Sequence, residues 1–116
     1  MKQLKEFEGA KGIVIASRVL TIMIDLLKDP RNYAMNGETD RMKIFGTFME
    51  NSPDQMMRLF AILSEENPET FTCNAQDAMI NMMKLANDPV MMSLFISQGR
   101  RGDAKSSVSA SVNTEE

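Results

Sequence analysis

Between its four prolines, Pro30, Pro53, Pro68 and Pro89, the chain places apolar residues at helical rather than alternating spacing, which predicts helices throughout and no strand. The first helix is expected from about Phe7 to Lys28. Ser17, Thr21, Asp25 and Lys28 recur at i, i+4, i+8 and i+11 and form, with Arg18, a narrow polar stripe; the rest of the circumference is apolar or small. A helix polar over so little of its surface is either central in a bundle or covered by another subunit. Asp29-Pro30 ends it, because a residue before proline is pushed out of the α region, and Asn36-Gly37 marks a turn.

A second helix, roughly Thr39 to Glu50, presents Met42, Phe45, Phe48 and Met49. Gly46 inside it costs about 1 kcal/mol against Ala, which points to a close helix contact. Ser52-Pro53-Asp54-Gln55 opens a third helix: Ser52 is placed to cap, Pro53 suits the first helical position, and Gln55 can return the capping-box bond. That helix shows Met56, Leu59, Phe60 and Leu63 on one face and stops near Asn67-Pro68. Asn74 caps a fourth, whose face carries Ala75, Ala78, Met79, Met82, Met83 and Ala86 at core spacing. Asp88 as cap and Pro89 at the first position start a fifth, and Val90 to Ile96 is apolar almost all round. From Gln98 the chain turns rich in Ser and Gly, with balanced charge and no aromatic residue, the composition of a disordered tail. The expected architecture is all-α: a small bundle of about five helices over residues 1–97, followed by a flexible Ser-rich tail over 98–116.

Composition removes most chemistry. The chain has 116 residues, no His, no Trp and one Cys. The commonest general base and metal ligand is therefore missing, and no disulfide or paired-Cys zinc spacing is available. Glu65 and Glu66 are adjacent and point apart on a helix; Asp77 and Asp88 have no partner acid on the same face. Cys73 lacks an activating base. No catalytic residue, cofactor site or metal site is expected, and the chain does not read as an enzyme. Arg101-Gly102-Asp103 spells the tripeptide that integrins read, but three residues match by chance.

The net charge is −3, and nucleic-acid binding needs a clustered basic surface to displace counterions. Between Leu59 and Ser97, Glu65, Glu66, Glu69, Asp77 and Asp88 face Lys84 alone, so no nucleic-acid partner is expected. The apolar run Ile13 to Leu27 would reach roughly 22 Å as a helix, short of the roughly 30 Å hydrocarbon layer. It is followed by no small-residue cleavage site. Neither a membrane span nor a secretion signal is expected.

Twelve methionines in 116 residues are several times the usual share. Met fills irregular gaps and re-packs against varied apolar partners, so the methionines are either a Met-rich core or, in part, an adaptable groove for a partner helix. The apolar helix from Val90 to Ile96 favours the groove: at the edge of so small a domain it is expected to stand exposed, which makes Met91, Met92, Leu94 and Phe95 the candidate partner-binding residues.

Asn87-Asp88-Pro89, then Leu94-Phe95 and Ser97-Gln98-Gly99, leading into the Ser-rich acidic end Ser106 to Glu116, resemble the tail assembly chaperones of long-tailed bacteriophages and prophages of Gram-positive bacteria. The opening Leu4-Lys5-Glu6-Phe7 and Glu66-Asn67-Pro68-Glu69 are similar to the same group. The resemblance implies a small helical protein of the bacterial host cytoplasm that coats the tape measure protein, keeps it soluble, and helps tail tube subunits polymerise around it. It also implies absence from the finished virion. A longer form made by ribosomal frameshifting, with an extra domain that engages the tail tube (major tail) protein, belongs to the same expectation. Homo-oligomerisation stays open. A small helical regulatory adaptor or anti-repressor, binding one folded partner, is the competing reading.

Overall fold

The computed structural model describes the backbone of residues 1–104 and the side chains of residues 1–97. Among the described residues every regular element is helical: α1 (Gly9–Lys28), α2 (Arg41–Asn51), α3 (Pro53–Leu63), α4 (Ala75–Ala86) and α5 (Pro89–Ala104), with 3₁₀ turns at Leu4–Glu6 and Pro30–Met35. The all-α expectation is met. The backbone of α5 runs on through residues 98–104; the remainder of the segment read as a tail lies outside the described residues.

The helix ends follow local chemistry. Asp40, Asn74 and Asp88 accept bonds from the free N–H groups at the starts of α2, α4 and α5, satisfying donors that a helix cannot pair internally. Ser52 departs from the expected capping box. Its hydroxyl makes no cap bond; it is turned inward to Asn32 and Asp29. α1 begins at Gly9 rather than Phe7, because Gly9 takes a φ of +67° that side chains resist. A Cβ on Gly12 would lie 2.7 Å from the Phe7 carbonyl oxygen, so the chain entering α1 folds tightly back over its first turn. Gly46 meets nothing within 4 Å; the close helix contact expected there is absent.

One continuous core joins all five helices. α1 contributes Ile15, Val19, Ile22, Met23 and Leu26; α3 contributes Met56, Leu59, Phe60, Ile62 and Leu63. Phe45 and Phe48 of α2 meet Phe95 of α5 with ring centroids 5.2 and 5.6 Å away, spacing at which aromatic pairs attract beyond their area. The N-terminal segment closes this side. Lys2 N–H donates to the Leu63 carbonyl and Leu4 N–H to Asp88 Oδ2, which draws the first 3₁₀ turn onto α5.

α1 is not central. Its buried face occupies one side, while Ile13, Val14, Leu20 and Ile24 stand exposed on the others. Of the two readings of its narrow polar stripe, the central one is therefore removed.

Candidate partner-binding surface

Three of the four residues first expected to face a partner are enclosed by the chain's own core. Met91, Met92 and Phe95 are buried at 0%, 5% and 3% exposure, and only Leu94 reaches the surface. The correction has a physical cause: the α2 aromatics cover Phe95 and the N-terminal turn packs over the same helix. An edge helix needs outside cover only if its own chain supplies none.

A different set of methionines is accessible. On α4, Met82 and Ala86 are buried, but Met79 and Met83 are each 50% exposed, Ala75 is exposed and Ala78 half-buried, so the regular spacing overstated the core. Ile80 stands beside them, and Met42 of α2 is half exposed. α2 and α4 pack on one another and run antiparallel. Arg41 at the start of α2 donates to the Ala86 carbonyl at the end of α4, and Met49 near the end of α2 shares a groove with Ala75 and Ala78 at the start of α4.

That groove is lined mainly by apolar side chains. It encloses about 210 Å³ and is lined by Met49, Pro53, Met56, Met57, Phe60, Cys73, Asn74, Ala75 and Ala78. The two alanines open it, since any longer side chain there would fill the space, and the three methionines make its walls pliable. Small-molecule sites usually measure about 300–1,000 Å³. This one suits a single apolar side chain of a partner. The Cys73 thiol borders it, its pKa raised by burial and by the nearby Asp77 carboxylate, which keeps it protonated and poorly nucleophilic.

A larger cleft of about 1080 Å³ lies between α1 and α3. Its walls alternate in sign: Lys11, Arg18 and Arg58 against Asp25, Asp54, Glu65 and Glu66. Lys11 and Lys2 both pair with Glu65 and hold its carboxyl down to about 2, far from the near-neutral value a general acid or base requires. Arg58 reaches Glu69 at 3.4 Å. Of the charges lining the cleft, Lys11, Glu65 and Arg58 are held in these ion pairs. Among the described residues no group of acids or Cys is arranged to hold a metal ion, and no helix is long and apolar enough to cross a membrane. Ser17, Arg18, Thr21 and Asp25 of the α1 polar stripe line this cleft.

Comparison with protein-family models, curated proteins and solved structures finds no match.

The groove was only partly legible beforehand. The Met56-Met57 tandem signals one methionine facing inward and its neighbour facing out, and small residues at 75 and 78 signal a shallow face. That α2 and α4 bring Met49 to those alanines depends on tertiary packing.

Proposed function

We propose that this chain is a tail assembly chaperone of a long-tailed phage or prophage, binding the tape measure protein in the host cytoplasm. The observation that carries the reading is the methionine-lined groove between α2, α3 and α4. A tape measure is a long series of similar helical segments, and the surface that serves it must accept many sequences without demanding one. Pliable Met walls around a side-chain-sized opening do that, with half-exposed Met42, Met79 and Met83 extending the apolar area on the same helix pair. A protein that acts by covering surface requires no catalytic residue, cofactor or metal. In this reading the chain leaves during assembly and is absent from the virion, and a frameshifted longer form carries the contact with the tail tube protein.

The test is co-expression with a tape measure protein of a long-tailed phage of Gram-positive bacteria. The wild-type chain should keep that protein soluble and co-purify with it. Met57→Glu and Ala78→Glu, which place a charge at two half-buried positions of the groove, should reduce capture at least about tenfold, or about 1.4 kcal/mol, while the melting temperature stays within a few degrees. Undiminished capture by both variants removes the groove as the docking site. A wild-type chain that leaves the tape measure insoluble removes the function itself.

A further inference from the structure

The outward flank of α1 carries a second apolar surface, separate from the methionine groove and independent of the functional reading above. Ile13, Ala16, Leu20, Ile24 and Leu27 follow one another at spacings of three, four, four and three residues, the repeat of a helix-packing seam. The stripe extends about 21 Å along the helix. Ile13 is 74% exposed, Leu20 45% and Ile24 42%, and Leu27 is half-buried at the far end. The charged residues Lys11, Arg18 and Asp25 of α1 line the cleft with α3, so no charge interrupts the stripe. We infer that this face pairs with the same face of a second copy of the chain, the two α1 helices antiparallel about a two-fold axis passing midway between Arg18 and Val19.

The residue order selects that occupant and that direction. In the antiparallel arrangement Ile13 of one copy meets Ile24 of the other, Leu20 lies over Ala16 and Ser17, and Leu27 lies over Gly9 and Ala10. Each bulky side chain thus finds either a small residue or one matching apolar partner, as a self-complementary two-fold interface requires. The ends match in charge: Lys28 of each copy arrives at the Glu8 that precedes α1 in the other, and both residues are exposed. Opposed helix dipoles add to this. A parallel pair would set Leu20 on Leu20, small on small, and Lys28 beside Lys28. One helix per copy gives an interface at the low end of the stable size range, about 1,200 Å², so the pair forms and dissociates with concentration.

Sedimentation velocity of the full chain over about a hundredfold concentration range reads the proposal directly, with a monomer–dimer equilibrium as the expected result. Leu20→Glu and Ile24→Glu should shift the midpoint at least about tenfold toward monomer while leaving the helical circular dichroism unchanged. Direction is read in a Cys73→Ser background: under mild oxidation Ile13→Cys mixed with Ile24→Cys should cross-link, and Ile13→Cys alone should not. A wild-type chain that stays monomeric throughout overturns the inference, as does dimerisation undisturbed by both Glu substitutions. Cross-linking of Ile13→Cys to itself overturns the antiparallel arrangement. Monomeric wild type with tape-measure capture lost in Leu20→Glu would assign the face to a different protein.

Discussion

Asn32 is the polar residue most enclosed by the core, at 0% exposure. Its Nδ2 donates to the Leu26 carbonyl and to Ser52 Oγ, and its Oδ1 accepts from Asn51 Nδ2. One side chain therefore ties the end of α1 to the α2–α3 junction, and it explains why Ser52 faces inward. Asn32→Ala would strand the Leu26 carbonyl without a donor and should cost about 1–3 kcal/mol of unfolding free energy, read by urea titration. Glu65 plays a comparable part at the surface. It occupies the left-handed region at φ 59°, where Gly is the usual occupant at a helix end. The flanking N–H groups of Glu65 and Glu66 bond back to Ile62 and Ala61, while its carboxylate holds Lys2 and Lys11. With its folded pKa near 2 and its ordinary value 4.5, the unfolded chain takes up this proton first as pH falls. The stabilisation is whole above pH 4.5 and drains away between about 4.5 and 2. Thermal melts through that window should fall less steeply for Glu65→Gln than for wild type. Asp29, held near 2 by Arg31, contributes a loss of the same sign, so the slope should flatten without vanishing.

Whole helices show how far periodicity carries. Caps at Asn74 and Asp88 and the Pro53 and Pro89 starts were legible because each is a local bond or a local steric rule. The helical periods of α3 and α4 were legible for the same reason. Cover for α5 was not: the Leu4–Asp88 bond joins residues 84 apart in sequence, and the Phe45–Phe95 contact depends on how α2 crosses the bundle. Such contacts leave no trace in a spacing pattern, which is why Met91, Met92 and Phe95 looked available and are enclosed. Gly46 is the converse case. Its glycine suggested tertiary crowding, yet open space surrounds it on an exposed face of α2. Gly46→Ala should accordingly stabilise the protein by about 1 kcal/mol, seen as a rise of several degrees in melting temperature.

At the scale of the molecule, the methionines divide between two roles that composition had left open. Met23, Met35, Met56, Met82, Met91 and Met92 are buried, whereas Met42, Met79 and Met83 stand half exposed and Met49 and Met57 edge the groove. Core and adaptable surface are both present, in different places from those the spacing suggested. The apolar perimeter of α1 was visible in the sequence as a helix lacking a polar side; which flank stayed open was decided by where α3 and the 3₁₀ turn Pro30–Met35 came to rest.

Cys73 is the chain's single thiol and sits on the wall of the methionine groove, which makes it a natural reporter there. Its rate of alkylation should climb with pH to values above those of an ordinary cysteine, following its raised pKa. A fluorophore attached at that sulfur would also sense directly whether a side chain from another protein has entered the groove. Occupancy could then be timed in solution, subunit by subunit, with no other label on the chain.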